Sequence, residues 1–247
     1  MLQLKNLSIV YDKEIILKDV DLHLAKNSSL TILGANGSGK SSLAKAISGL
    51  IPFRGDIILD DLNSHKLSVK DRAKLSTYIP AKLESYDLQI SVREFILIGR
   101  FAHKPKWSNY STTDYQKVDH IMSDLGISTL ANQALKTLSS GQQQLSMIAQ
   151  ALAQESPLLI FDEPTAHLDP KNVVYFVQIF TQLKKRYTLV LITHDIQLAQ
   201  VLKQPILFIQ NKQAKLYRDN FFKPETLLKH YGVSFSHNNT YLGLDFD

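Results

Sequence analysis

Leu30-Thr31-Ile32-Leu33-Gly34-Ala35-Asn36-Gly37-Ser38-Gly39-Lys40-Ser41-Ser42-Leu43 is the stretch on which the fold turns. The apolar run Leu30 to Leu33 reads as a strand, and it breaks at Gly34. Gly39, Lys40 and Ser41 follow after four residues and open an alanine- and leucine-bearing helical pattern expected to run to about Leu50. Strand, glycine loop and helix in this order make a phosphate cradle. The glycines let backbone N–H groups turn inward, Lys40 is long enough to reach outer phosphates, and the Ser41 hydroxyl is a ligand for Mg²⁺. The start of the helix adds its positive dipole end to the same pocket.

A second stretch, Leu158-Leu159-Ile160-Phe161-Asp162-Glu163, answers the first. A continuously apolar strand is buried on both faces, as in a parallel sheet, and ligands bind at the C-terminal ends of such strands. Asp162 is then placed to hold Mg²⁺ and Glu163 to reach an attacking water. Another buried strand, Leu189 to Thr193, ends at His194-Asp195, which puts His194 at the same edge, either as a structural or merely exposed histidine or, as its strand-end position favours, as a γ-phosphate contact.

Composition narrows the field. The chain has 247 residues, enough for a proper core in one domain with subdomains, and no cysteine, which excludes disulfides, thiolate metal sites and cysteine nucleophiles. The formal charge of +5 comes from 28 basic and 23 acidic residues that are interspersed, so a solvated surface explains it and no nucleic-acid partner is expected. No apolar run approaches the roughly 18 residues of a spanning helix, and the start Met-Leu-Gln-Leu-Lys-Asn lacks a signal-peptide core. The expected location is the cytosol unless a partner holds the chain at a membrane.

Along the chain, residues 2 to 24 alternate apolar and polar, as half-buried antiparallel strands do. Tyr11 lies in a polar turn between two of them, either as a loop anchor or as a platform for a flat base. Asp56 to Leu59 and Tyr78-Ile79 read as short strands, and Val69 to Lys74 as a helix. Residues 91 to 154 are helical in pattern, with Ser91 opening one helix and Ser111 to Asp114 a capping-box candidate for the next. Leu138-Ser139-Ser140-Gly141-Gln142 precedes a further helix; Ser139 and Gln142 have capping-box spacing, and such a helix start either is simply well capped or also receives an anion. After a helix from about Asn172 to Lys185, Ile206 to Ile209 with Gln213 to Arg218 suggests a hairpin, and Pro224 to Tyr231 a short helix. The fold class is α/β: a P-loop core with a parallel sheet, an N-terminal antiparallel β subdomain and an inserted helical subdomain. The expected division is 1–85 and 155–247 for the β subdomain and core, and 86–154 for the helical part, all within one domain spanning 1–247.

Together these motifs resemble the nucleotide-binding subunit of an ABC transporter over nearly the whole chain. The resemblance implies ATP and Mg²⁺ as ligands, with Tyr11 stacked on adenine. Gly34, Asn36, Gly37, Ser38, Gly39, Lys40, Ser41 and Ser42 would form the Walker A loop, and Leu138 with Ser139, Ser140, Gly141 and Gln142 the signature. Asp162 would be the metal-linked aspartate beside Ser41, Glu163 the catalytic glutamate, Ala166-His167-Leu168-Asp169 the D-loop and His194 the switch histidine. It also implies a head-to-tail dimer of two copies, in which the signature of one acts on ATP held by the other. Transmembrane permease subunits would be contacted through the helical part, at the cytoplasmic face of the membrane. Arg72-Ala73-Lys74, Val92-Arg93-Glu94, Gly99-Arg100-Phe101 with His103, and the ending Pro224 to Val233 resemble the subgroup serving iron-siderophore, haem and vitamin B12 importers. Two residues depart from the pattern: Ala81 stands where the family has glutamine, with Glu84 or Gln89 as nearby substitutes, and Ser140 stands for glycine. Ala81 keeps open a weakly hydrolysing regulatory subunit. A soluble ABC ATPase acting on nucleic acid would ordinarily carry two cassettes or a coiled coil, which this chain lacks.

Overall fold

The computed structural model describes residues 1–83, 89–105 and 108–232 in full, and the backbone of 235–238 and 241–244. Glu84, one of the two substitutes for the missing glutamine, lies outside the described residues. β1 (Leu2–Tyr11) and β2 (Glu14–Leu24) form the antiparallel hairpin that the period-two pattern predicts, and β4 (Arg54–Leu59) and β5 (Leu62–Asn63) complete a four-stranded sheet in the order β2-β1-β4-β5. β3 (Ser29–Gly34) leads through the glycine loop into α1 (Lys40–Ile47). This helix stops before the Leu50 expected from sequence because Gly49 N–H reaches the Ala46 carbonyl and Leu50 N–H the Lys45 carbonyl, the paired bonds of a Schellman ending.

α2 (Val69–Ala73) and β6 (Ser76–Ile79) come next, followed by α3 (Val92–Ile98), α4 (Thr112–Asp124) and α5 (Ser140–Ala153). The chain returns through β7 (Leu158–Asp162), α6 (Pro170–Leu183), β8 (Thr188–Ile192), α7 (Ile196–Leu202), β9 (Ile206–Gln210), β10 (Gln213–Tyr217) and α8 (Pro224–Tyr231). A closing hairpin, β11 (Phe235–Asn238) with β12 (Tyr241–Leu244), was not expected from the sequence. The main sheet runs β10-β9-β3-β8-β7-β6; every pair in it is parallel except β10 on β9.

The continuous apolar strands divide their side chains between two cores. Leu158 and Ile160 of β7, with Val190 and Ile192 of β8, pack with α1 and the antiparallel sheet, whereas Leu159, Phe161, Leu189 and Leu191 pack with α5 and α6. Each fully buried side chain of this kind contributes about 1.5–3 kcal/mol. The register is therefore fixed by apolar contacts, since a slip of one residue would exchange the two cores. Phe161 is held edge-on between Phe176 and Phe180, at centroid distances of 5.7 and 5.4 Å. Parity then carries past the last apolar residue: Asp162 follows Leu158 and Ile160 onto the α1 face, toward the glycine loop.

Candidate active site

Gly39 caps α1 with φ 101°, a conformation that side-chain-bearing residues rarely adopt, and Lys40 begins the helix. Lys40 is 5% exposed, and its ammonium donates to the Gly34 carbonyl at 2.8 Å and the Ala35 carbonyl at 2.9 Å. Burial holds its pKa below the ordinary lysine value, opposed by the charges of Glu163 and Asp162. A Cβ on Gly34 would stand 2.5 Å from the Ile209 carbonyl oxygen and 2.7 Å from the Ser38 hydroxyl. The Ser38 hydroxyl is itself buried without a hydrogen-bond partner among the described residues. A bare backbone, an unpartnered hydroxyl and a cation lie together along one loop, a donor set that suits an anion with several oxygens. Asn36 and Gly37 form the exposed rim of this loop, and Ser42 sits half-buried in the first turn of α1.

Asp162, 4% exposed, accepts from the Ser41 hydroxyl at 3.0 Å through Oδ1 and from the Tyr78 hydroxyl at 2.7 Å through Oδ2. Glu163 leaves the strand with φ 48°, and its N–H donates to the Ile192 carbonyl at 2.9 Å. The left-handed backbone costs about 1–2 kcal/mol in a residue with a Cβ. It turns the second carboxylate out of the β7 alternation, so adjacent acids serve different partners. Glu163 Oε2 lies 2.9 Å from His194 Nδ1. An ionised carboxylate only accepts, so Nδ1 carries the hydrogen and the Nε2 edge of the 54% exposed ring is left available. Asp195 fixes the histidine's backbone by capping α7, accepting from Gln197 and Leu198 N–H.

The structure thus gathers Lys40, Ser41, Asp162, Glu163 and His194 at one end of the sheet. Tyr11 and Ser139 to Gln142 share no hydrogen bond or ion pair with that group among the described residues. Tyr11 is 72% exposed at the tip of the β1–β2 hairpin. Ser139 caps α5, accepting from Gln142 N–H while the Gln142 side chain accepts from Ser139 N–H. Ser139 and Ser140 are exposed, and Gly141 is buried against the Asn172 side chain, which Asp169 holds at 2.8 Å. Ala81 faces a cavity of about 200 Å³, lined also by Ser140, Gln144, Pro164 and His167. Sequence reading missed Tyr78 and Asn172. Tyr78 pairs with Ile160 in the β6–β7 register, two residues before Asp162, and only that pairing signals its role.

A phosphate-binding loop after β3, opposed by acids at the end of β7, makes this a P-loop nucleotide hydrolase. The model of a family described as ABC transporter matches residues 17–166, and the chain belongs to that family as an ABC-type ATPase. A probable iron chelatin transport ATP-binding protein of Helicobacter pylori is 33% identical over 217 residues, covering 86% of this chain and 85% of that one. The iron(3+)-hydroxamate import ATP-binding protein of Bacillus subtilis is 31% identical over 198 residues, 79% of this chain and 73% of that one. Among solved structures, an inward-facing metal-chelate type ABC transporter superposes with a TM-score of 0.83 at 25% identity, covering 98% of this chain and 95% of that chain. A dimeric ATP-binding cassette in a post-hydrolysis state with ADP and Pi gives 0.74 at 26% identity, covering 88% and 98%.

Proposed function

We propose that this chain is the ATP-hydrolysing subunit of a membrane importer for iron-siderophore, haem, cobalamin or a similar metal chelate. The observation that carries the reading is the Ser41–Asp162 hydrogen bond at 3.0 Å, which joins the glycine loop to the acid pair beside Lys40 and Glu163. The importer class is supported by relatives named for iron chelatin transport, iron(3+)-hydroxamate import and ferric enterobactin transport.

Each side chain has a distinct task in in-line attack of water on the γ-phosphate, a reaction in which positioning and charge stabilisation dominate. Lys40 and the N–H groups of Gly34 to Ser42 hold the phosphates. Glu163 polarises the water, and the free edge of His194 contacts the γ-phosphate. Ser41 and Asp162 would hold Mg²⁺: both offer hard oxygens, and the two side chains stand 3.0 Å apart. The ion's contribution is to neutralise charge on the phosphate oxygens. Tyr11 stacks on adenine, and Ser139, Ser140, Gly141 and Gln142 act on the nucleotide of a second, head-to-tail copy.

The helical lobe, expected over 86–154 and carrying α3, α4 and α5, would pass dimer closure to permease subunits. No described helix is long and apolar enough to cross a membrane. The subunit works at the cytoplasmic face and meets the membrane only through the permease.

Glu163→Gln should cut hydrolysis by about 10²–10⁴-fold, the range for a general base, while ATP still binds and drives dimer formation seen by size-exclusion chromatography. Unaltered turnover would remove Glu163 from the mechanism, and Lys40→Ala protein that bound Mg-ATP as well as the parent would end the nucleotide reading altogether. The cargo is tested by the permease that co-purifies from membranes and by uptake assays with iron chelates, haem and cobalamin.

A further inference from the structure

We propose that Tyr78 is a positioning residue of the magnesium site, pinning Asp162 so that the carboxylate presents its other oxygen toward Ser41. The inference rests on the nucleotide reading above. An aspartate carboxylate turns about a broad, two-fold torsion, so nothing in its own geometry decides which oxygen faces a metal. Here two different elements decide it. α1 supplies the Ser41 hydroxyl to Oδ1 at 3.0 Å, and β6 supplies the Tyr78 hydroxyl to Oδ2 at 2.7 Å.

The Tyr78 ring is well placed to resist displacement. It is half-buried and packs on the core that contains Leu158 and Ile160 of β7 and Leu43 and Ile47 of α1, the two elements that its hydroxyl bond aligns. Its backbone is locked to Ile160 in the parallel ladder, which places the phenol one side-chain repeat before Asp162 on the same face. Ala81, three residues along the same segment, has no side-chain oxygen or nitrogen, so Tyr78 supplies a polar link from β6 to the metal carboxylate that residue 81 cannot.

Tyr78→Phe keeps the ring and removes the hydroxyl. Loss of one hydrogen bond to a charged group should weaken Mn²⁺ binding to the ADP-loaded protein, read by electron paramagnetic resonance titration, by about tenfold. The magnesium concentration for half-maximal ATPase should rise by a similar factor, while ADP affinity measured in chelator stays within about twofold. Unchanged Mn²⁺ affinity in folded Tyr78→Phe overturns the proposal, and so does an equal loss of ADP affinity with and without metal, which would make Tyr78 merely structural. If the parent protein itself shows no metal-dependent nucleotide binding, the functional reading fails and the inference falls with it. A second measurement avoids dependence on how the variant folds: 3-fluorotyrosine at position 78 should report magnesium addition to the ADP complex as a fluorine shift, and a silent resonance overturns the proposal.

Discussion

Three helices between β6 and β7 begin with the same device, a serine at the N-cap and a reciprocating side chain three residues on, yet they differ in charge. α3 uses Ser91 with Glu94, α4 uses Ser111 with Asp114, and α5 uses Ser139 with Gln142. The geometry is alike: the N3 side chain accepts from the serine N–H at 2.8, 2.9 and 3.0 Å respectively. A carboxylate at this place satisfies both the N–H groups and the positive end of the helix dipole, whereas an amide satisfies only the N–H groups. The helix that begins the signature segment therefore keeps its positive end uncompensated. Its first two residues, Ser139 and Ser140, are exposed, as are Ser111 and Thr112 of α4, so the difference between those two starts is charge and not exposure. Structural helices are sealed by acid, and the helix proposed to meet a facing triphosphate is capped without being neutralised.

The largest effect should come from opening a sealed start. Asp114 has a second duty, because its Oδ1 accepts from Arg100 Nε at 2.9 Å, and the Arg100 side chain is only 6% exposed. Asp114→Ala leaves that guanidinium with Glu155 and the Ala153 carbonyl but without its buried partner, at a cost on the order of 3–5 kcal/mol in urea unfolding. Burial pushes the Asp114 carboxyl up, but hydrogen bonds from Arg100 and Ser111 outweigh it and draw its pKa down to about 2. A lowered folded pKa means stability that is complete above the ordinary value of 3.8 and lost as pH falls through about 2. The parent protein should weaken across that window and Asp114→Ala should do so less; identical acid profiles would show that the carboxylate contributes nothing there.

Gln142→Glu converts the unsealed start into a sealed one. Acid in the first turn is worth about 0.3–1 kcal/mol, so thermal stability should hold or rise slightly. ATPase should nevertheless fall by about tenfold, one like charge being placed where a phosphate is received, with partial recovery at high salt. A fully active Gln142→Glu protein would mean that the neutral side chain at this helix start has no bearing on nucleotide.

How much of this was open to sequence reading depends on the range of the contact. The glycine loop, the apolar β7 ending in acids and the Ser111 and Ser139 caps are local patterns, and each appears where its spacing places it. The meeting of Ser41 with Asp162 was inferable only because both ends are anchored by strands of one parallel sheet. Tyr78 on Asp162 depends on a register that no local pattern states. Arg100 joins Asp114 of α4 to Glu155 just beyond α5, and as a lone basic residue in a helical stretch it reads like any solvated arginine. The β11–β12 hairpin was missed for a related reason: Phe235 to Leu244 has a short, polar-interrupted pattern whose partner is itself.

The smallest effect separates the two helix starts most cleanly. Ser111→Ala and Ser139→Ala each delete one N-cap acceptor, and each should cost about 1 kcal/mol of stability. If capping were the whole role of Ser139, the two variants would match in every assay. The unsealed start predicts otherwise, because the Ser139 end is paired with the neutral Gln142 amide and the Ser111 end with the Asp114 carboxylate. Ser139→Ala should therefore lose hydrolysis and ATP-driven dimer formation, while Ser111→Ala melts equally early and keeps its turnover. Equal ATPase in two equally destabilised proteins would reduce Ser139 to a cap and take the signature segment out of the site.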